Sequence, residues 1–191
     1  MSTALLLIDL QRDFLADDGR LPVHRAQIAP MLAAIERVTA QARARGDLIV
    51  HVVNAFPRRS IGNLFRKFAA IEGSSGAGLD PRAPQPREGE PTVRKAAGDA
   101  FRQTALDSLL RERGVHELVL TGVFAGACVA ATARGARQRG YQVHIVADAV
   151  ADRSETARAA ALRKLTSAGC VISDLSSLEI PDLARQPRMT A

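Results

Sequence analysis

Two kinds of hydrophobic pattern alternate along the chain. Short runs of consecutive apolar residues predict buried strands, and longer stretches with an apolar residue at every third or fourth position predict amphipathic helices. The predicted strands are 4–10, 48–53, 117–120, 142–146 and 170–173, and the predicted helices are 25–45, 101–113, 127–139 and 154–167. Glycine directly follows several of these helices, as Gly46 does, which is the expected position of a helix stop. The alternation predicts an α/β fold of three layers, in which helices cover both faces of a mainly parallel central sheet.

One long stretch, residues 57–91, does not fit this alternation. It carries five of the nine prolines and five of the fourteen glycines. Structureless connections of this length are uncommon in compact domains and usually serve as functional lids, as partner contacts or as disordered segments. We therefore interpret 57–91 as a long loop or lid. The last residues, 181–191, have little apolar periodicity and are interpreted as a mobile end or an oligomer arm.

Length and composition predict a single domain over residues 1–191. The chain has 191 residues, of which 47% are hydrophobic, and an ordinary domain has about 100 to 200 residues. The first apolar run is too short to span a membrane and lacks a basic leader, so we expect a cytoplasmic protein with no membrane partner. The formal net charge is +6, but aromatic residues make up only 4% of the chain and the arginines are scattered. We therefore expect no nucleic-acid partner.

Three residues are candidates for chemistry. Cys128 lies where an apolar strand breaks into small residues and a helix begins, and a helix N-terminus is expected to lower the pKa of a thiol and so favour the reactive thiolate. Asp9 ends the first apolar run, where ligands bind in open parallel sheets. Lys95 is one of three lysines among 26 basic residues, which favours a role for its compact, titratable charge. The ordinary alternatives are a small core residue for Cys128, a turn cap for Asp9 and a solvated surface charge for Lys95.

These residues belong to a series of motifs in a fixed order. The motifs are 7–14, Lys95 with 99–101 and then Thr104 and Leu106, 118–129, Thr132 with Ala133 and Ala136, 140–143, and 148–149. Together they resemble the isochorismatase-like cysteine hydrolase superfamily, which includes nicotinamidases and N-carbamoylsarcosine amidohydrolases. The resemblance spans most of the chain and implies a Rossmann-like α/β/α fold, in agreement with the layers predicted above.

The resemblance implies a role for each of the three residues. Cys128 would be the nucleophile, Asp9 the general acid and base, and Lys95 the cation that holds both in place. A nearby ammonium group lowers the pKa of a thiol, and a carboxylate can accept and return the proton. Family members also have a cis peptide bond before the residue that matches Phe124. The backbone amides of Phe124 and Cys128 would then form an oxyanion hole.

Further candidates lie around these motifs. In relatives, the region equivalent to 57–91 helps to wall the pocket. The candidates for substrate binding are Phe14, Asn54, Phe56, Arg58 and Phe65. For each phenylalanine, plain core packing explains the residue equally well.

The chain departs from the family at two places. Ala125 and Gly126 stand where many members have threonine and an acidic or polar residue. Side-chain contacts from this turn are therefore missing, and the identity of the substrate is not fixed by the resemblance. Nicotinamidases bind a metal through an aspartate and histidines after the second strand, but residues 51–56 contain no Asp-x-His pair here. We therefore predict no bound metal and no other cofactor, and a small molecule as the substrate.

Three functions are compatible with these observations. The leading one is a cysteine hydrolase that cleaves a C–N bond of a small amide, ureido or carbamoyl compound through a thioester. The second is an isochorismatase-type hydrolase of a vinyl ether. Relatives can perform that chemistry without the cysteine, so the complete set of Asp9, Lys95 and Cys128 favours the first function. The third is a non-catalytic member of the fold, suggested by the altered turn at 125–126. The resemblance also implies a homo-dimer or homo-tetramer.

Overall fold

The computed structural model describes residues 2–176. The strands are β1 (Ser2–Ile8), β2 (Leu48–Asn54), β3 (Thr92–Lys95), β4 (Val115–Val123), β5 (Gln142–Ala151) and β6 (Val171–Ser173). The α-helices are α1 (Arg12–Leu15), α2 (Arg25–Arg45), α3 (Gly62–Phe65), α4 (Leu106–Glu112), α5 (Ala130–Gln138) and α6 (Glu155–Ser167). A 3-10 turn (Ser75–Ala77) and a π-helical turn (Ala125–Val129) complete the elements. The predicted end segment 181–191 lies outside the described residues.

The strands form one sheet in the order β3-β2-β1-β4-β5-β6. All neighbouring strands in this sheet pair in parallel. From β1 the chain proceeds to one edge through β2 and β3, and it then returns to the other side of β1 with β4 and continues to the opposite edge. The strand order therefore reverses between β1 and β4, and ligands bind outside the carboxyl ends of the strands at such a switch point. The predicted α/β fold with a parallel central sheet is confirmed.

The apolar run of β1 shows why the sheet has helices on both faces. Leu5 and Leu7 pack in a buried cluster with residues of α2, whereas Leu6 and Ile8 pack in a second cluster with residues of α4, α5 and α6. Side chains of a strand alternate between the two faces, so a continuous apolar run is buried only when both faces are covered. Among residues 2–176, none of the helices combines the length and apolar character that crossing a membrane requires.

The predicted helix over 101–113 is wrong in its first turn, since α4 begins only at Leu106. The carboxylate of Asp99 accepts a hydrogen bond from the amide of Phe101 (2.9 Å), and the hydroxyl of Thr104 accepts one from the amide of Leu106 (3.2 Å). Such side-chain bonds to the backbone compete with the helical ladder and favour turns.

Several strands also differ from the prediction, beginning with β1, which spans Ser2–Ile8 rather than 4–10. The apolar pattern does not predict β3, because this strand lies at the sheet edge and exposes Thr92 and Arg94. The strands β4 and β5 continue beyond the predicted 117–120 and 142–146, to Val123 and Ala151.

The segment 57–91 is irregular over most of its length, as predicted, and it is anchored near α1. Asp13 Oδ2 accepts a hydrogen bond from the Ala70 amide (2.7 Å), and Gln11 Nε2 donates one to the Ala77 carbonyl oxygen (2.7 Å). These bonds hold the segment beside the carboxyl end of β1. Its action as a lid, and the extent of one domain over 1–191, stay predictions.

Candidate active site

Four neighbouring strands lead to four residues with polar or thiol side chains. Lys95 is the last residue of β3 and Asn54 the last residue of β2. Asp9 directly follows β1, and Cys128 follows β4 within the π-helical turn. Asn54 pairs with Lys95 in the sheet, and the Asp9 amide donates a hydrogen bond to the Val52 carbonyl oxygen (2.8 Å). The backbone pairing of the sheet therefore gathers these residues at one edge.

The Lys95 ammonium group is buried and makes three hydrogen bonds. Its Nζ donates to Asp9 Oδ2 (2.9 Å), to Asn54 Oδ1 (2.8 Å) and to the carbonyl oxygen of Ala97 (3.1 Å). An ammonium group has three donors and no acceptor, so the hydrogen-bonding capacity of Lys95 is fully used. The ion pair with Asp9 offsets part of the cost of burying both charges. Lys95 is thus held in one position as a positive charge.

The Asp9 carboxylate has one bound oxygen and one open oxygen. Lys95 binds Oδ2, whereas Oδ1 is buried and accepts no hydrogen bond from any described residue. The Cys128 thiol is close enough to affect the pKa of this carboxyl group. The φ of Asp9 is 57°, in the left-handed region that aspartate tolerates better than most residues, and β1 ends just before it. An open carboxylate oxygen beside a thiol can accept the thiol proton.

Asn54 connects the lysine to the thiol. Its Oδ1 accepts from Lys95, and its Nδ2 donates to Cys128 Sγ (3.8 Å). The side chain of Gln11, which is fully buried, accepts a hydrogen bond from the Asn54 amide (2.8 Å) and donates one to the Asn54 carbonyl oxygen (2.8 Å). The sequence pattern does not single out Gln11, because an amide that binds backbone leaves no periodic signal. Substrate binding by Asn54 stays a prediction.

Burial is the largest single contribution to the pKa of each of the three ionisable groups, although it does not set the direction for all of them. It raises the pKa of the Asp9 carboxyl against the opposing charge of Lys95. Burial and the adjacent Asp9 carboxylate raise the pKa of the Cys128 thiol to about 12, although Lys95 acts in the opposite direction. Burial lowers the pKa of Lys95, but attraction to Asp9 and Cys128 outweighs it, so the net shift is upward.

The expected lowering of the thiol pKa is therefore wrong. Removing the Cys128 thiolate from water costs more free energy than the neighbouring ammonium group returns. At neutral pH the thiol keeps its proton, Lys95 remains charged, and the thiolate forms only if a base removes the proton. The open oxygen of Asp9 is the adjacent base.

The turn that carries Cys128 differs from an ordinary helix start. Gly122 has a φ of 105°, and a Cβ added there would overlap the carbonyl oxygen of Ile8. The peptide bond between Val123 and Phe124 is cis, as the resemblance implies. The π-helical turn then precedes α5, so Cys128 lies before the regular helix rather than in its first turn. Cys128 as a whole residue is neither fully buried nor fully exposed.

A buried carboxylate holds this turn in place. Asp152 Oδ2 accepts a hydrogen bond from the Gly126 amide (2.7 Å), and a Cβ at position 126 would approach the same oxygen to 3.1 Å. The Asp152 amide in turn donates to Gln27 Oε1 of α2 (2.9 Å). Asp152 is therefore a positioning residue that the sequence pattern misses. The oxyanion hole formed by the amides of Phe124 and Cys128 stays a prediction.

The other predicted substrate contacts lie in different surroundings. Phe14 packs edge-on against Phe124, with 5.7 Å between the ring centroids, so it borders the turn before Cys128. Phe56 is buried, whereas Arg58 and Phe65 are exposed. Within residues 2–176, none of the recorded contacts joins Arg58 or Phe65 to the four residues at the strand ends. Substrate roles for all of them stay predictions.

The residues at the end of β2 and directly after it do not fit a metal ion. Asn54 Oδ1 already binds the Lys95 ammonium group, and a second cation beside that charge is electrostatically unfavourable. Phe56 lies under the guanidinium of Arg66, 3.9 Å from the ring centroid, and offers no ligand atom. In the described part of the chain, no group of three or more His, Cys, Asp or Glu residues could hold a metal ion. The absence of a metal stays a prediction.

The fold and these residues define an α/β protein with a buried acid–lysine pair beside a thiol at the switch point of a parallel sheet. The Isochorismatase domain model matches residues 3–177 of the chain. The chain belongs to the isochorismatase family. The predicted resemblance is thereby confirmed.

Three similar proteins illustrate the range of the family. Streptothricin hydrolase from Streptomyces noursei is 33% identical over 154 residues, which cover 76% of this chain and 48% of that protein, so this chain spans about half the length of that relative. Ureidoacrylate amidohydrolase RutB from Serratia proteamaculans is 28% identical over 199 residues, covering 92% and 80%. The structure of N-carbamoylsarcosine amidase from Thermoplasma acidophilum superposes with a TM-score of 0.81 at 26% identity, covering 94% and 99%. These names support the predicted hydrolase class.

Proposed function

We propose that the chain is a cysteine hydrolase that cleaves a C–N bond of a small amide, ureido or carbamoyl compound through a thioester. The observation that carries this proposal is the open Oδ1 of Asp9, a buried carboxylate oxygen without a hydrogen-bond partner among residues 2–176, in a carboxylate beside the Cys128 thiol. The relatives named for ureidoacrylate, streptothricin and N-carbamoylsarcosine support the substrate class.

In the first half of the reaction, Asp9 Oδ1 takes the proton from Cys128 Sγ as the sulfur adds to the substrate carbonyl carbon. The raised pKa of Asp9 makes it a stronger base than an ordinary aspartate. The amides of Phe124 and Cys128 bind the oxyanion of the tetrahedral intermediate. Asp9 then returns the proton to the nitrogen as the C–N bond breaks, so an unsubstituted amide releases ammonia and leaves a thioester on Cys128.

In the second half, water hydrolyses the thioester. Asp9 accepts a proton from the water as its oxygen attacks the thioester carbonyl, and the proton then passes to the departing Sγ, which restores the thiol. Lys95 keeps its proton throughout, because its pKa is raised and its three donors are bound. Its charge stabilises Asp9 as a carboxylate each time the proton leaves.

The test measures ammonia release from a panel of small amides, ureido compounds and carbamoyl compounds. The Cys128→Ala variant should lose turnover by at least about a thousandfold, in keeping with the removal of other covalent nucleophiles, and should keep its fold by circular dichroism. Cys170→Ala is the matched control, because it removes the other cysteine, which is buried beside β6, and it should keep turnover.

Intact mass spectrometry on a rapidly quenched reaction should show an acyl adduct on wild-type protein and on Cys170→Ala. Near-native turnover by Cys128→Ala would contradict the covalent mechanism. Hydrolysis of a vinyl ether without ammonia release from any amide would favour the isochorismatase-type reaction, and inertness towards the whole panel and towards vinyl ethers would favour the non-catalytic alternative.

A further inference from the structure

The neighbours of the Asn54 side chain allow its amide group only one orientation. An asparagine amide has an acceptor oxygen at one end and a donor nitrogen at the other. The Lys95 ammonium group can only donate, and its Nζ lies 2.8 Å from one end of the amide. That end must therefore be the oxygen Oδ1, and the nitrogen Nδ2 faces Cys128 Sγ at 3.8 Å.

The backbone of Asn54 is held as firmly as its side chain. The side chain of Gln11 binds both the amide and the carbonyl oxygen of Asn54, each at 2.8 Å. Asn54 is only 2% exposed, and it pairs with Lys95 between β2 and β3. The donor nitrogen is therefore directed at the sulfur rather than at solvent.

A donor beside the sulfur restricts the direction of the thiol proton. Nδ2 of Asn54 has no free lone pair, so the S–H group of Cys128 cannot donate to it. Beside the thiol, Asp9 Oδ1 is a buried acceptor without a partner among residues 2–176. An unpaired buried acceptor is unfavourable, so the thiol proton is most stable when it points to this oxygen.

We propose that Asn54 is a catalytic residue, whose amide directs the thiol proton of Cys128 to Asp9 and stabilises the thiolate as it forms. The hydrogen bonds then form a ring from Lys95 through Asn54 and Cys128 to Asp9 Oδ1, and Lys95 closes it by donating to Asp9 Oδ2 (2.9 Å). When the S–H bond breaks, its electron pair stays on the sulfur and the proton binds Asp9 Oδ1. Asn54 and Lys95 keep all their protons.

The hydrogen bond from Asn54 has its main effect once the sulfur is charged. Hydrogen bonds to an ionised group are about twice as strong as those between neutral groups, so this donor favours the thiolate over the thiol. Burial is the largest influence on the pKa of Cys128 and raises it, whereas the bond from Asn54 lowers it. Loss of the donor should therefore decrease the fraction of thiolate at a given pH.

The first experiment measures the rate constant for alkylation of Cys128 by iodoacetamide at one fixed, mildly alkaline pH, in a Cys170→Ala background. Asn54→Leu removes the donor with little change in volume and should slow alkylation at least about tenfold. Asn54→Asp keeps an oxygen for Lys95 but turns an acceptor and a negative charge towards the sulfur, so it should be slower still. A merely structural role predicts the opposite sign, because a loosened site exposes the thiol.

Asn63 provides the matched controls. It is the other asparagine of the chain, it is buried, and its Oδ1 also accepts a hydrogen bond from a cation, Arg66 (2.9 Å). Asn63→Leu and Asn63→Asp should keep the alkylation rate of Cys128, and circular dichroism should show that all four variants keep the fold. The proposal is overturned by an Asn54→Leu rate that equals or exceeds that of Asn63→Leu, or by an Asn54→Asp rate that is not below that of Asn54→Leu.

The second experiment requires no variant of Asn54. Infrared absorption measures the S–H stretching frequency of Cys128 in Cys170→Ala and that of Cys170 in Cys128→Ala. Cys170 lies in an apolar cluster, so its frequency represents a weakly bonded thiol. Donation to Asp9 Oδ1 weakens the S–H bond, so Cys128 should absorb at the lower frequency, and an equal or higher frequency would overturn the proposal.

This inference rests on the proposed function, because it takes Cys128 as the nucleophile. Both experiments are done without substrate. Slower alkylation and the lower frequency would support the role of Asn54 at the thiol even if no compound of the amide panel were hydrolysed, so the two proposals fail separately.

Discussion

At the scale of single residues, the three hydrogen bonds of Lys95 define its role. All its donors are bound within the site and its pKa is raised, so it is a fixed charge rather than a proton carrier. Asp9 differs because one of its oxygens is open. The proposed mechanism therefore gives the two partners of this ion pair separate tasks, with Lys95 as the fixed charge and the open oxygen of Asp9 as the proton acceptor.

The first prediction concerns the titration of Cys128 in the Asp9→Asn variant. The carboxylate is the second contribution, after burial, to the raised thiol pKa of about 12. Removing its charge while Lys95 stays should lower the thiol pKa, even though turnover is lost. The measurement is thiolate absorbance against pH in a Cys170→Ala background. A midpoint that stays unchanged or rises would show that the Asp9 charge does not act on the thiol.

The second prediction concerns Gln11. Gln11→Met removes both hydrogen bonds to the backbone of Asn54, so we expect the bridge from Lys95 to the thiol to loosen and the free energy of unfolding to fall by about 1–3 kcal/mol per unpaired buried group. The alkylation rate of Cys128 and its dependence on pH should change as well. Gln85→Met is the control, since Gln85 Nε2 also donates to carbonyl oxygens of the segment 57–91, and within residues 2–176 its hydrogen bonds do not reach the strand-end residues. If both variants alter alkylation equally, Gln11 has only a general structural role.

At the scale of elements, β4 determines where Cys128, the proposed nucleophile, lies, and Gly122 allows this strand to approach β1. Gly122→Ala should destabilise the protein, because the methyl group would overlap the Ile8 carbonyl oxygen. Gly114→Ala is the control: Gly114 directly precedes the same strand and has a φ of 60°, but a Cβ there meets open space, so this variant reports the conformational cost alone, about 1–2 kcal/mol. In urea unfolding we expect Gly122→Ala to cost at least about 2 kcal/mol more than this control. Equal losses would mean that the close contact with β1 is relieved at no cost.

The sequence predicts the elements that have a repeating pattern. Apolar runs indicate β1 and β2, and helical spacing indicates α2, whose observed bounds agree with the predicted 25–45. The prediction from sequence fails where local hydrogen bonds or a position at the sheet edge determine the backbone structure, as in the turns before α4 and in β3.

The candidate site follows the same rule. The residue types and the motif order predict Asp9, Lys95 and Cys128, and the structure brings them together. The thiol pKa could not be predicted, because it depends on burial by residues far apart in the chain. Gln11 and Asp152 escape sequence analysis for a related reason, since their hydrogen bonds join distant backbone groups.

At the scale of the whole molecule, a partly buried ion pair attaches the end of the segment 57–91 to α2. Glu90 accepts hydrogen bonds from Arg43 Nε (2.7 Å) and Nη2 (3.0 Å), and the His51 ring lies 3.2 Å from the same carboxylate. Burial lowers the pKa of His51, so the ring is neutral at neutral pH and Arg43 is the charged partner. The hydrogen bonds from Arg43 lower the pKa of Glu90 to about 2.

This shift predicts how stability depends on pH. A lowered carboxyl pKa stabilises the folded state above the unfolded pKa of 4.5, and that contribution is lost as pH falls towards about 2. Glu90→Gln should therefore cost up to about 3 kcal/mol at neutral pH and progressively less in acid. Urea unfolding between neutral pH and about pH 3 measures the difference. The exposed Glu88→Gln variant is the control, and a Glu90→Gln cost that does not change with pH would contradict the prediction.

The residues at the four strand ends are far apart in the sequence, from position 9 after β1 to position 128 after β4. No short stretch of the polypeptide contains the acid, the ammonium group and the sulfur together, and each reaches its place only when its own strand has joined the ladder. The dependence of Cys128 alkylation on Asp9 would consequently report on the assembly of β1 to β4 during refolding. This dependence should return only when the last of these four strands has joined the sheet.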